Sequence, residues 1–222
     1  MKIAYITAQV AGTDCLDNEN FIIPEIIEIF KSEDEILLLP MGRGNQINLN
    51  GEVDPEVVLK NTLAVPFISR GVLLMGIILF LRNPLRSIKL IWRIITQSGG
   101  FKMVFKNLSL FFSGLTLSEV VNRNNVDHIH AADAAISSTC AYIAASISGI
   151  SWSFTANGSR IEKNNIFRQK CKSAKFVRIT DEAGYIAAVN IAGDIINEKC
   201  KLLEYNKTDS AQMVNRLLEL MK

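Results

Sequence analysis

The chain has 222 residues, 49% of them hydrophobic, which is enough for one core and too short for a typical two-domain enzyme. Its net charge of +2 does not by itself indicate a partner, and we expect no nucleic acid among the partners. The four cysteines lie far apart, without a CxxC pair or metal-ligand spacing, so we expect reduced thiols in a cytoplasmic protein. We also expect no cofactor.

The first part of the chain has the pattern that opens a doubly wound α/β fold. Lys2 to Thr7 predicts a buried strand, and apolar residues at helical spacing from Phe21 to Phe30 predict a helix. Glu35 to Met41 predicts a second strand, and a polar loop from Gln9 to Asn20 separates the first strand from the helix. This order of elements is typical of a sheet covered by helices.

A stretch of different character follows. Between Val57 and Ser118 there is no acidic residue, whereas the rest of the chain has 16 basic residues against 22 acidic ones. The basic residues of the stretch are Lys60, Arg70, Arg82, Arg86, Lys89, Arg93, Lys102 and Lys106. Such asymmetry is typical of contact with an anionic surface. The most apolar run, Val72 to Leu81, is too short to span a bilayer, which takes about 20 residues.

Residues 66 to 117 of this stretch read as a helical insert. Asn83 and Pro84 predict a helix start, and Gly99 with Gly100 predicts its end. A basic stripe runs along this segment, an apolar face covers the other side, and a second apolar face follows with two lysines beside it. The stripe is Arg82, Arg86, Lys89 and Arg93, the apolar face is Leu85, Ile88, Ile91, Trp92 and Ile95, and the lysines are Lys102 and Lys106.

This combination suits the plane of a membrane interface. We therefore expect an anionic membrane surface as a partner. The expected contacts are Arg82, Arg86, Lys89, Trp92, Arg93, Lys102 and Lys106. The alternative is that the apolar face packs on the domain, which would explain the apolar residues but not the absence of acids.

The α/β pattern resumes after the insert. We expect strands at Val126 to His130, Trp152 to Ala156 and Phe176 to Thr180, and helices at Ala131 to Ser148, Asn165 to Ser173 and Asp209 to Met221. Asp181 is placed to cap a further helix. The fold class is therefore α/β, a single Rossmann-like domain with a mostly parallel sheet. We expect this domain at residues 1–205, with the helix in 206–222 packing back on it.

Two candidate sites lie where strands end, which is where open α/β sheets bind ligands. His130 ends one strand and Asp133 follows it, so the imidazole is a candidate general base; the alternative is that His128 and His130 are ordinary strand residues. After the next strand, Asn157 and Gly158 could offer backbone amides to an oxyanion, unless they form an ordinary turn. No dinucleotide fingerprint and no P-loop is present.

These motifs together resemble a known family. They are the MKIAYIT start, Glu19-Asn20-Phe21 with Pro24-Glu25-Ile26, the basic apolar insert, Val126 to Ala131, Ser153 to Ala156 and Ala174 to Val177. In this order they resemble the N-terminal domain of family 4 glycosyltransferases, especially the colanic-acid and exopolysaccharide type. The similarity covers about residues 1 to 190.

The resemblance implies a GT-B fold, in which an N-terminal half binds the acceptor and rests on the membrane, while a C-terminal half binds the sugar nucleotide. It implies hexosyl transfer without a metal, in the cytoplasm on the inner face of the plasma membrane, onto a lipid-linked or saccharide acceptor. His130 and Asn157 would be catalytic. The acceptor would meet Glu19, Asn20, Phe21, Asp133, Gly158 and Arg160.

The sequence departs from the family in three ways. Ala132 stands in place of the second histidine of a His-Ala-His motif, and Asn157 and Arg160 stand in place of a histidine and an aspartate. Asparagine cannot titrate. The donor half is absent, so we expect an inactive acceptor half that works with a separate donor subunit, or an internally shortened form. The alternatives are a degenerate, non-catalytic scaffold of a polysaccharide-synthesis complex and an unrelated nucleotide-binding protein.

Overall fold

A parallel β-sheet forms the centre of the computed structural model, which describes residues 1–7, 22–32, 34–41, 52–65, 69–158, 161, 166–203 and 210–222. Within these ranges the strands are β1 (Lys2–Thr7), β2 (Glu35–Pro40), β3 (His128–Ala131), β4 (Ser151–Ala156), β5 (Phe176–Ile179) and β6 (Cys200–Leu202). Their order is β2-β1-β3-β4-β5-β6, and every pair is parallel. The predicted α/β fold class is confirmed.

The helices alternate with the strands and cluster in the insert. They are α1 (Ile22–Lys31), α2 (Pro55–Lys60), α3 (Arg70–Arg82), α4 (Pro84–Gln97), α5 (Phe101–Ser109), α6 (Phe111–Arg123), α7 (Ile136–Ser148), α8 (Phe167–Ser173), α9 (Glu182–Ala192), α10 (Asp194–Lys199) and α11 (Ser210–Met221). Asp181 caps α9 as predicted, because its Oδ1 accepts the Gly184 amide at 2.6 Å.

Some predicted bounds are wrong. The helix predicted from Ala131 begins only at Ile136, because Asp133 and Ser137 bond to each other and hold the intervening residues in a turn. Helix α6 continues to Arg123, past residue 117, where the predicted insert ends. Helices α2 and α10 and strand β6 are not among the elements predicted from the sequence.

The sheet has a helical layer on each face. On one face, α7 contacts the strands directly, α4 and α6 pack on α7, and α3 packs on α6, around a core that includes Ile129 and Phe154. On the other face, α1 and α11 cover Tyr5, Leu38 and Phe176. Strands covered on both sides read as continuous apolar runs rather than alternating ones, which is why β1 and β2 are visible in the sequence.

Two glycines bring the insert helices into close contact. A Cβ on Gly76 of α3 would lie 2.8 Å from Phe112 of α6, and one on Gly114 of α6 would lie 2.5 Å from Ile143 of α7. The absence of a side chain therefore lets α3 lie against α6, and α6 against α7. This packing fixes which faces of the outer helices look away from the protein.

Among the described residues, one helical stretch, Phe101–Arg123, has the length and apolar composition of a membrane span. Half of its most apolar window is buried inside the protein, as it is in many core helices. Helices α3 and α4 would make a second such stretch only if taken together, and the chain bends by 112° between them.

Candidate functional site

The turn between β3 and α7 holds Asp133 at the carboxyl end of the sheet. Asp133 is 8% exposed, and its carboxylate accepts the Ala135 amide and the Ser137 hydroxyl, both at 2.6 Å. The residue predicted to bind an acceptor therefore lies at the expected edge, with both oxygens engaged in shaping the turn. Its binding role stays a prediction.

A buried lysine supports the same turn from below. Lys170 of α8 is fully buried, and its ammonium group donates to the carbonyl oxygens of Ala134 and Ala135 and to the Ser138 hydroxyl at 2.9–3.0 Å. Burial lowers the pKa of Lys170 to about 7, although the Asp133 carboxylate acts in the opposite direction. Lys170 thus ties α8 to the backbone that carries Asp133.

The end of β4 contains the second candidate site. Asn157 and Gly158 follow the strand, and the Gly158 amide donates to Asp181 Oδ2 at 3.1 Å. A side chain on Gly158 would come within 2.8 Å of both Asp181 and the Gly184 backbone. The amide that the sequence offers to an external oxyanion is therefore satisfied by a carboxylate of the same chain. Arg160, like Glu19, Asn20 and Phe21 of the first loop, lies outside the described residues.

His130 lies inside the protein, beneath α1 and α11. It is fully buried, its Nδ1 is 2.8 Å from the Ser153 hydroxyl, and its Nε2 is 3.1 Å from the Thr155 hydroxyl. Burial lowers the pKa of His130 well below its ordinary value, with His128 and Arg178 acting in the same direction. The ring is therefore neutral at neutral pH and shielded from solvent in this structure; its catalytic role stays a prediction.

His128 lies in the same environment, because residues two apart in a strand point to the same face of the sheet. Its ring nitrogens lie 2.6 Å from the Ser151 hydroxyl and 2.7 Å from the Ser153 hydroxyl. Ser153 therefore links the two imidazoles. Burial lowers the pKa of His128 to about 3, and the Lys175 ammonium group adds to that effect.

A buried ion pair joins the sheet to both covering helices. Arg178 of β5 donates to the Glu25 carboxylate of α1, and both side chains are fully buried. Arg178 also contacts Met213 Sδ of α11 at 2.9 Å, and the Tyr5 hydroxyl donates to Glu25 at 3.1 Å. Burial and the Glu25 charge raise the pKa of Tyr5 well above its ordinary value. This cluster fixes α1 and α11 on the sheet.

The sequence contains a signal for these buried charged residues. Glu25 falls among Ile22, Ile26 and Ile29, on the apolar stripe of its helix, and all four are buried. Arg178 is a charged residue inside an apolar strand, and Lys170 lies beside Phe167 and Cys171 on the buried side of α8. A charge on an apolar stripe indicates a buried partner, but only the fold identifies that partner.

The insert helices turn apolar side chains away from the protein. On α4, the exposed residues Leu85, Ile88, Trp92 and Ile95 share one face, while Ser87, Leu90 and Ile94 are buried. The basic stripe residues Arg86, Lys89 and Arg93 lie between these two faces and are exposed. The face predicted for the interface thus does not pack on the domain, except for the half-buried Ile91.

The neighbouring helices continue this pattern. The exposed large apolar residues are Leu73, Leu74, Ile77, Ile78 and Leu81 on α3 and Phe101 and Phe105 on α5. Arg82 and Lys102 are exposed beside them, and Lys106 is half-buried. Single exposed apolar residues are ordinary on protein surfaces, but so many on three consecutive helices are characteristic of an interaction surface.

Together, the sheet and its edge define a Rossmann-like α/β half of the kind found in GT-B type proteins. The chain is similar to UDP-GlcNAc 2-epimerase from Methanocaldococcus jannaschii, with a TM-score of 0.55 and 11% identity over 99% of this chain and 50% of that one. It is also similar to S. aureus MnaA in its UDP co-structure, with a TM-score of 0.53 and 9% identity over 96% and 47% of the two chains.

A third similar structure is the lipopolysaccharide outer core galactosyltransferase WaaB, with 13% identity over 92% of this chain and 45% of that one; its TM-score of 0.49 is too low to carry weight. The chain spans about half the length of these solved structures. No family model and no curated protein matches the sequence. At such low identities the comparisons show the fold alone.

Proposed function

We propose that the chain is the acceptor-binding and membrane-binding half of a GT-B type hexosyltransferase of polysaccharide biosynthesis, inactive without a donor-side half. The observation that carries this proposal is a single Rossmann-like sheet aligned with about half of each larger GT-B type chain. In such folds ligands bind at the carboxyl ends of the strands. Here that edge carries Asp133 and Asn157, beside the turn that Lys170 supports.

A transfer assay tests this role. The purified chain is incubated with a panel of labelled nucleotide-sugars and a membrane lipid extract, alone and with a separately expressed donor-side domain from a GT-B glycosyltransferase. We expect no labelled product from the chain alone and product only when the second half is present. Transfer by the chain alone would overturn the claim that it is inactive by itself.

The same proposal places the protein on the inner face of the plasma membrane. The exposed basic residues Arg86, Lys89 and Arg93 support it, because the insert has no acidic residue to neutralise them. Each basic residue near an anionic surface contributes roughly 1 kcal/mol. We expect the protein to sediment with vesicles rich in phosphatidylglycerol, and the variant Arg86→Gln/Lys89→Gln/Arg93→Gln to sediment less. Equal sedimentation of both proteins would contradict this role.

A second candidate is a non-catalytic partner subunit. It is favoured by the burial of His130, by Asn157 at the position where related enzymes have a histidine, and by the internally satisfied Gly158 amide. The variant Asn157→His distinguishes the two. If the chain is catalytic, the substitution should change the transfer rate measured with a donor half present. If the chain is a scaffold, no transfer should be seen before or after the substitution.

A further inference from the structure

Two helices of the insert, α4 and α5, expose large apolar side chains and each bury a polar one. The buried face of α4 includes Ser87, which is fully buried and whose hydroxyl has no hydrogen-bond partner among the described residues. The outward face of the same helix carries Leu85 and Trp92, which are 83% and 66% exposed. A surface helix that faces water is polar on its outer side, whereas α4 is apolar inward, at Leu90 and Ile94, and also apolar on part of its outer side.

Helix α5 shows the same combination of exposed apolar residues and a buried polar side chain. Its one fully buried residue in the described structure is Asn107, whose Oδ1 has no partner there, whereas Phe101 is 87% exposed. Phe105 is exposed on the same helix. Two consecutive helices that bury a polar group and expose large apolar ones indicate that a nonpolar medium, rather than water, covers the outer side.

The basic residues beside the apolar face of α4 indicate which nonpolar medium covers it. Among the residues that the structure describes, Arg82, Lys89 and Arg93 form no ion pair, although they flank the apolar face of α4. A second copy of the chain docked on this face would place like charges opposite each other, which is unfavourable. A lipid bilayer accepts apolar side chains below its headgroups and offers phosphates to the cations at the same depth as the helix flank.

We propose that α4 lies lengthwise in the membrane interface, with Leu85, Ile88, Trp92 and Ile95 inserted below the headgroups. The protein is then held by apolar insertion in addition to charge. This inference rests on the proposed membrane role and adds a second mode of attachment to it. Attachment by charge alone is reversed by salt, whereas apolar insertion is not. The exposed apolar residues of α3 and α5 extend the surface at either end of α4.

The tryptophans provide the test. The chain has two, Trp92 on the outer face and Trp152, which is 3% exposed in the core. Phosphatidylcholine and phosphatidylglycerol vesicles with brominated acyl chains should quench Trp92 and shift its emission to the blue, and both effects should persist in high salt. In Trp92→Phe the remaining Trp152 should not be quenched, which shows that the signal comes from the interface.

A matched pair of variants separates insertion from general surface hydrophobicity. Ile88 of α4 is 55% exposed and Ile186 of α9 is 56% exposed, so Asn at either position removes a similar apolar area without opening the core. Ile88→Asn should weaken partition into the vesicles roughly tenfold, whereas Ile186→Asn should leave it unchanged. Equal effects would overturn the insertion of α4.

The remaining outcomes are also decisive. Binding that is fully reversed by salt, with Trp92 unquenched, would refute insertion and leave attachment by charge intact. Absence of any binding would refute both. A blue Trp92 emission from dilute protein without vesicles would show that protein, either a second copy or another segment, covers this face instead of lipid.

Discussion

The buried pair of Glu25 and Arg178 offers a quantitative test of how the two helical layers are joined. Both side chains are 0% exposed, so removing one partner leaves the other charge in the core. Such a loss costs about 3–5 kcal/mol, whereas replacing both charges by apolar groups of similar volume is often nearly neutral. We therefore expect Glu25→Gln and Arg178→Met each to lower the free energy of unfolding by about 3–5 kcal/mol.

The double variant Glu25→Leu/Arg178→Met should be far more stable than the sum of the two single losses predicts. Urea unfolding followed by circular dichroism measures all three. The destabilisation expected for either single variant approaches the total stability of many domains. Tyr5→Phe is a milder probe, because it removes only the hydrogen bond to Glu25 and should cost about 1–3 kcal/mol. The exposed pair of Arg123 and Glu119 is the control, and Arg123→Gln should have no measurable effect. Additive losses at Glu25 and Arg178 would refute the reasoning.

Three further predictions concern packing, pH and a buried hydroxyl, each checked by equilibrium unfolding. Gly76→Ala should lower stability by about 1–2 kcal/mol, because the new methyl group meets Phe112 of the neighbouring helix. Gly71→Ala should not, because a Cβ there would lie 3.9 Å from its nearest neighbour, the Ser69 hydroxyl. The pKa of His128 is about 3 in the folded protein and about 6.5 in the unfolded chain, so the unfolded chain binds a proton first as the pH falls. Stability should therefore decrease from pH 6.5 to pH 3 by up to about 1.4 kcal/mol per pH unit, and His128→Gln should reduce this slope. Ser87→Ala should raise stability by about 1 kcal/mol, and Ser118→Ala, which loses a real hydrogen bond, should not.

The sequence predicts most of the sheet because buried parallel strands are continuous apolar runs bounded by turns. It fails at β6, whose three residues are partly or fully exposed at the edge of the sheet and carry no such pattern. It also placed the start of α7 too early, because the turn at Asp133 depends on a side-chain hydrogen bond rather than on periodicity. Elements defined by composition are therefore predictable, and elements defined by one contact are not.

In the candidate site, too, the sequence predicts the positions of residues along the chain but not their contacts. The sequence places His130 and Asn157 at strand ends, but it cannot show that His130 is covered by α1 and α11 or that Asp181 reaches the Gly158 amide. These are contacts between segments 20 or more residues apart, and no local pattern encodes them. On α4 the sequence predicts one apolar face, and only the packing shows that Leu90 points inward while Leu85 points outward.

The two features that matter most lie on opposite sides of the sheet. The ion pair of Glu25 and Arg178 joins β5 to α1 and α11 on one face, whereas α4 rests on the layer that covers the other, through Leu90 and Ile94. Folding tests on the first and membrane tests on the second therefore act on separate layers. If Glu25→Gln weakened vesicle binding under conditions where the variant is fully folded, the layers would be coupled. The membrane surface would then depend on more of the protein than the insert.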